Sequence, residues 1–191
     1  GGACASDVCS DLVWTHNFTS LSDGCGATGS ATVTFTATDA CGNSSSTTST
    51  FTIVDITAPA ISTQAADMTV ECDGAGNTGA LQAWLNAHGG ASAEDICSGI
   101  TWTHNFSVLS DGCGATGSAT VTFIATDACG NARATTATFA IVDQTAPVIA
   151  CPPDVTVNCQ DDTSPASRGT ATGSDICSGV TITYSDVSTQ D

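Results

Sequence analysis

The chain has 191 residues, and aromatic residues make up only 5% of them, so each folded domain is expected to have a small core. Nineteen acidic residues oppose two basic ones, which gives a net charge of -17 at pH 7. This balance argues against nucleic acid and anionic membranes as partners, because both are bound through clusters of lysine and arginine. No stretch of 18 or more apolar residues is present, so direct membrane insertion is not expected.

An internal repeat organises the sequence. Residues 5–61 align without a gap with residues 93–149, and a third copy begins at Ser174 with the sequence SDICSG. A tandem array of this kind is expected to make nearest-neighbour contacts only and to form an elongated rod. We also expect the sequence to be a segment of a larger protein. The predicted units are a partial repeat 1 at residues 1–56, a complete repeat 2 at residues 57–144 and a partial repeat 3 at residues 145–191.

Each repeat is predicted to be an all-β, immunoglobulin-like sandwich. In the complete repeat, Ala80–His88 has apolar residues three or four apart and predicts one short helix. Ile100–Phe106 predicts a strand with Trp102 packed across the sandwich, as in immunoglobulin-like domains. Ala119–Ala125 alternates between apolar and polar residues, and with Thr136–Val142 and the turn DACGN between them it predicts a β-hairpin.

Eleven cysteines, none in a CxxC pair, predict a disulfide framework and an extracellular location. Because the loops of an immunoglobulin-like sandwich alternate between its two ends, we predict that cysteines pair within one repeat. The predicted pairs are Cys97–Cys129, Cys72–Cys113, Cys9–Cys41 and Cys4–Cys25. The partners of Cys151, Cys159 and Cys177 are left open.

Longer motifs carry a resemblance to a known family. The segments TAPVIACPPDVTVNC and VTFTATDACGNSSSTTSTFTIVDITAP resemble the hyalin-type (HYR-like), immunoglobulin-related repeats of giant surface proteins of Bacteroidota. The threonine-rich form GATGSATVTFTATDACGN is similar to that of the SprB-type gliding adhesins. The resemblance implies export by the type IX route, display on the bacterial cell surface, and a role in adhesion or gliding motility.

Acidic residues are expected to converge where successive repeats meet. They are Asp55, Glu94, Asp95 and Asp127 at the first junction, and Asp143 and Asp175 at the second. One interpretation is that these carboxylates bind Ca²⁺ between repeats, since calcium takes oxygen ligands without strict geometry. The other is that each aspartate caps a turn or ends a strand. Calcium is the one cofactor considered, and no arrangement of a nucleophile with a base predicts an enzyme.

Two functions are compatible with these observations. The first is that of structural and adhesive spacer repeats in a long extracellular filament, whose partners are the neighbouring repeats and an extracellular surface. The alternative is a glycan-binding accessory module of a secreted multidomain protein, with a polysaccharide as its ligand. Sugar sites usually need exposed aromatic rings, and the tryptophans fit core or helix positions better, so the spacer is favoured.

Overall fold

The computed structural model describes residue 2, residues 4–8 and residues 11–185, and it separates into two compact units. Unit 1 comprises residues 1–63, 92–103 and 124–134, and unit 2 comprises residues 64–91, 104–123 and 135–191. Each unit therefore combines residues of successive repeats. The repeat boundaries at residues 57 and 145 stay a prediction, as does the rod.

Repeat 1 forms a three-stranded antiparallel sheet in the order β1-β2-β3. Its strands are β1 (Val13–His16), β2 (Gly29–Thr38) and β3 (Ser44–Ile53). Strands β2 and β3 pair along their whole length, from Thr38 opposite Ser44 to Gly29 opposite Ile53. The turn between them is closed by Asp39, whose Oδ1 accepts the backbone N–H groups of Cys41 and Asn43 at 2.9 and 2.8 Å.

Repeat 2 is built mainly of strands around one short helix. Its elements are β4 (Ala60–Thr63), β5 (Met68–Glu71), α1 (Thr78–Asn86), a 3₁₀ turn (His88–Gly90), β6 (Ser92–Glu94), β7 (Ile100–His104), β8 (Gly117–Asp127) and β9 (Ala132–Val142). Strand β4 pairs with β6, and a four-stranded sheet has the order β5-β9-β8-β7, with β5 parallel to β9. The all-β class, the predicted hairpin and the single helix of this repeat are confirmed.

Most of the fully buried apolar side chains of repeat 2 come from alternating positions of β8 and β9. Val121, Phe123 and Phe139 are fully or almost fully buried. Helix α1 covers them with Trp84, whose ring centroid lies 5.2 Å from that of Phe123 and 5.6 Å from that of Phe139. Its Nε1 donates to the carbonyl oxygen of Ala66 at 3.1 Å, so the polar edge of the indole is satisfied.

Two tryptophans of repeat 2 differ in burial. Trp102 is half-buried on the predicted strand β7, whereas Trp84 of the helix is only 7% exposed and packs on two phenylalanines of β8 and β9. The helix therefore supplies the more deeply buried tryptophan, and the packing of Trp102 across a sandwich stays a prediction.

The described part of repeat 3 has three short elements. They are β10 (Val148–Ala150), α2 (Pro165–Arg168) and β11 (Thr172–Ser174), with β10 antiparallel to β11. Among the residues that the structure describes, no helix is both long and apolar enough to cross a membrane.

Candidate functional site

Two disulfides join described residues, and each links one repeat to the next. Cys25 of repeat 1 is bonded to Cys129 of repeat 2 within unit 1, with 5.1 Å between their Cα atoms. Cys72 of repeat 2 is bonded to Cys177 of repeat 3 within unit 2, with 6.0 Å between their Cα atoms. The predicted disulfide framework is thus confirmed, but the bonds run between repeats.

Three of the predicted pairs are wrong for this reason. The bonds Cys97–Cys129, Cys72–Cys113 and Cys4–Cys25 are not formed, and in the described part of the chain Cys4, Cys97 and Cys113 are free thiols. The prediction treated each repeat as a separate sandwich, whereas loops of successive repeats lie against each other. The predicted pair Cys9–Cys41 is also wrong, because Cys41 is a free thiol; Cys9 itself lies outside the described residues.

A glycine brings these loops into contact in both units. In unit 1 the N–H of Ala27 donates to the carbonyl oxygen of Cys97 at 2.8 Å, and in unit 2 the N–H of Ala115 donates to that of Cys177 at 2.8 Å. Before each alanine stands a glycine with positive φ, +58° at Gly26 and +61° at Gly114. A Cβ atom at Gly26 would lie only 2.5 Å from the carbonyl oxygen of Cys97, so a larger residue would separate the loops.

Each contact between loops of successive repeats is called a junction here. Junction 1, in unit 1, comprises the loops of Cys25, Cys97 and Cys129. Junction 2, in unit 2, comprises the loops of Cys72, Cys113 and Cys177. The structure brings together three of the four acidic residues predicted for junction 1. Carboxylate oxygens of Asp55, Asp95 and Asp127 all lie within 4.8 Å of one another. Glu94 is not part of this cluster; it lies exposed on β6, opposite Ala60.

Hydrogen bonds show that the carboxylates of junction 1 also cap turns. Oδ1 of Asp95 accepts the backbone N–H of Cys97 at 2.9 Å, and Oδ1 of Asp127 accepts that of Cys129 at 2.9 Å. Oδ1 of Asp55 accepts the backbone N–H of Thr57 at 3.1 Å. The predicted capping role is confirmed, and it holds each cysteine backbone at a fixed place in its loop.

The other oxygen of Asp55 has a different environment. Oδ2 of Asp55 is buried and has no hydrogen-bond partner among the described residues. A buried, unpaired carboxylate oxygen is costly, and a cation would satisfy it. Junction 1 thus offers oxygen atoms of the kind that Ca²⁺ takes, although the Oδ1 atoms of all three aspartates already accept N–H groups.

Asp127 is the most buried of these carboxylates, at 6% exposure. Burial raises the pKa of Asp127, but the side chain and backbone of Asn131 and the backbone N–H groups of Cys129 and Gly130 outweigh it. The pKa of Asp127 therefore lies below its ordinary value, and the group is charged near pH 7. The Nδ2 of Asn131 also donates to the carbonyl oxygen of Asp55 at 3.2 Å, which links the turn to the repeat connection.

Junction 2 has fewer carboxylates. Asp143 and Asp175 come within 4.8 Å of each other and of the sulfur of Cys177, as predicted for the two aspartates, but that sulfur is in a disulfide and is not a free ligand. The backbone N–H of Cys177 is the main cause that lowers the pKa of Asp175; burial raises it, and Ser178 lowers it further.

Glu71 of β5 is a member of junction 2 that the sequence analysis did not select. Its Oε1 accepts the backbone N–H of Gln144 at 2.9 Å and the hydroxyl of Thr145 at 2.8 Å, so it fixes the connection that follows β9. These bonds, that from Gln144 first, lower the pKa of Glu71. Its position directly before Cys72 was the signal that could have identified it.

Comparison with known proteins adds little. No family model matches the chain, and no curated protein matches it. One similar solved structure is "Protocadherin gammaB7 EC3-6 cis-dimer structure", with a TM-score of 0.33 and 15% sequence identity, covering 88% of this chain and 53% of that chain. This chain therefore spans about half the length of that solved chain. A likeness at this TM-score supports no assignment of family or function.

Proposed function

We propose that this chain is a segment of structural, adhesive spacer repeats in a long extracellular filament on a bacterial cell surface. The observation that carries the proposal is that both disulfides between described residues join cysteines of successive repeats. A bond of that kind contributes to the integrity of a string of repeats under tension. A protein that only needed stable separate domains would be served as well by bonds within each repeat.

The covalent connectivity has a mechanical consequence. The bonded pair Cys25–Cys129 and the bonded pair Cys72–Cys177 enclose overlapping loops, of sequence separation 104 and 105. Three chain segments therefore connect one bonded pair to the other: residues 26–71, 73–128 and 130–176. Tension applied at the two ends of the chain is shared among these three segments, and no single segment has to carry it alone.

The setting proposed for these repeats follows from their composition and motifs. Disulfides persist in oxidising, extracellular environments, and the net charge of -17 keeps neighbouring chains apart at low ionic strength. The HYR-like resemblance of the motifs supports a giant surface adhesin of the SprB type, export by the type IX route and a part in gliding motility. The proposal includes the binding of Ca²⁺ at junction 1 and does not include an enzymatic activity.

Pulling single molecules tests the mechanical part. A chain held by its two ends should stop extending about 370 Å earlier in non-reducing buffer than in reductant, because 105 residues at about 3.5 Å each are bypassed. Since the loops overlap, Cys129→Ser alone should leave this difference almost unchanged, and only a double variant with Cys72→Ser should abolish it. Equal extension with and without reductant would contradict the proposal.

Antibody labelling tests the biological part. Antibodies raised against the chain should label filaments on the outer surface of intact cells that encode it, and their Fab fragments should reduce attachment to glass. A label found only after the cells are broken, or attachment unchanged by the Fab, would overturn the adhesive role. The disulfide connectivity would stand in that case.

One observation favours the glycan-binding alternative. A groove in unit 2 is lined by Ile149, Pro152 and Tyr184, and Tyr184 is 79% exposed. An exposed aromatic ring beside a groove is suited to stacking on a sugar. Binding of the chain to a glycan array, lost in Tyr184→Ala and kept in the matched surface variant Phe51→Ala, would establish this second function.

A further inference from the structure

The two junctions have the same arrangement of loops, but a different disulfide is formed in each. The loop of Cys25 in repeat 1 corresponds to the loop of Cys113 in repeat 2, and the loop of Cys97 corresponds to that of Cys177. Cys25 is bonded to Cys129, while its counterpart Cys113 is a free thiol. Conversely, Cys177 is bonded at junction 2, while its counterpart Cys97 is a free thiol at junction 1.

We propose that every junction between two repeats is built for two disulfides, and that Cys97 and Cys113 are each half of a pair completed by a neighbouring repeat. The partner of Cys97 is the Cys72-type thiol of the repeat before it. The partner of Cys113 is the Cys129-type thiol of the repeat after it. This inference does not depend on the adhesive role.

The backbone surroundings of the free Cys97 match those of the bonded Cys177. Oδ1 of Asp95 accepts the N–H of Cys97 at 2.9 Å, and Oδ1 of Asp175 accepts that of Cys177 at 2.8 Å. In both junctions the carbonyl oxygen of that cysteine accepts an alanine N–H at 2.8 Å, so the backbone at Cys97 is held as it is at Cys177.

The position of the missing partner is marked by the same alanine. At junction 2 the sulfur of Cys72 lies 3.7 Å from the carbonyl oxygen of Ala115, between the two loops. Ala27 is the counterpart of Ala115 at junction 1, and a Cys72-type thiol beside Ala27 is within reach of Cys97. At junction 1 the sulfur of Cys129 lies 3.2 Å from the carbonyl oxygen of Cys25, which marks the corresponding place beside Cys113.

The bond-forming chemistry is thiol–disulfide exchange with a small disulfide oxidant such as oxidised glutathione. One cysteine thiolate attacks the oxidant, forms a mixed disulfide and releases one glutathione thiolate. The second cysteine thiolate attacks the mixed disulfide and releases the other, so two thiols lose two protons and two electrons, and one oxidant yields two glutathione thiols.

A duplicated chain tests the proposal. The full chain carrying a second copy of residues 57–144 directly after the first contains one junction with all four cysteines. Refolded with oxidised glutathione and digested without reduction, it should yield peptides that link Cys72 to Cys97 and Cys113 to Cys129. The parent chain should yield neither, and both should yield the bonds Cys25–Cys129 and Cys72–Cys177, which report that the flanking junctions have folded.

Other outcomes of that digest decide against the proposal. If Cys97 and Cys113 are recovered only as alkylated thiols from the duplicated chain, or linked to each other, the two-disulfide junction does not exist.

Discussion

Phe139 and Phe51 occupy the same position in two copies of the repeat, and the structure gives them opposite environments. Phe139 is 0% exposed on β9 and contacts Trp84 of helix α1, whereas Phe51 on β3 is 61% exposed. Truncating the two side chains to alanine therefore compares one sequence position in a core and on a surface.

Phe139→Ala should lower the free energy of unfolding by about 3–5 kcal/mol, the range for a buried phenylalanine that leaves a cavity. This loss of free energy includes the lost ring contact with Trp84, whose centroid lies 5.6 Å from that of Phe139. Phe51→Ala should change the free energy by no more than about 0.5 kcal/mol, as is usual for surface positions.

Hydrogen-exchange mass spectrometry is a suitable assay, because the two repeats need not unfold together. Protection of peptides from β9 should fall at least about a hundredfold in Phe139→Ala, since each 1.4 kcal/mol is a factor of ten. Peptides from β3 should keep their protection in both variants. Equal losses in the two variants would refute the argument that α1 and the sheet of repeat 2 form the core.

Three further predictions concern the junctions. Cys129→Ser should lower the free energy of unfolding by about 2–5 kcal/mol in urea titrations without reductant, while the exposed free thiol variant Cys4→Ser should leave it unchanged. The pKa of Asp127 is below its ordinary value of 3.8, so its stabilisation is present above that value and is lost as the pH falls through the folded-state pKa. Asp127→Asn should therefore flatten the decline of the melting temperature below about pH 4. Calcium should raise the melting temperature over that in chelator, Asp55→Asn should abolish the rise, and the matched control Glu94→Gln should keep it; a rise that survives in Asp55→Asn would place the ion elsewhere.

Alternation of residues was sufficient to predict three strands of repeat 2, β7, β8 and β9, but not the shorter β4, β5 and β6. Val121 and Phe123 alternate with threonine and isoleucine on β8, and the turn after Asp127 closes the hairpin. Both signals depend only on residues close in sequence, so they can be recognised without knowing which long-range contacts the chain makes. The helix was also predicted from local spacing, and its bounds shifted by only two residues, from Ala80–His88 to Thr78–Asn86.

The disulfides could not be predicted, because their partners depend on how one repeat meets the next. A loop-end argument within one sandwich leads to Cys97–Cys129, because the two cysteines lie in loops at the same end of the sandwich. The contact of Ala27 with Cys97 reveals that a loop of the preceding repeat lies there and supplies Cys25 instead. That contact joins residues 70 positions apart, and a pattern of neighbouring residues cannot predict a contact over such a distance in sequence.

The two interpretations of the aspartates, capping and cation binding, are not exclusive. In the sequence Asp-x-Cys of Asp95 and Asp127, Oδ1 accepts the N–H of the cysteine two residues on and fixes the loop that presents the thiol. This role uses one oxygen and does not require a second negative charge nearby. Three carboxylates within 4.8 Å repel one another, yet the buried Oδ2 of Asp55 is kept among them without a donor. Capping accounts for the Oδ1 atoms, so the cost of that remaining oxygen is what a bound cation would offset.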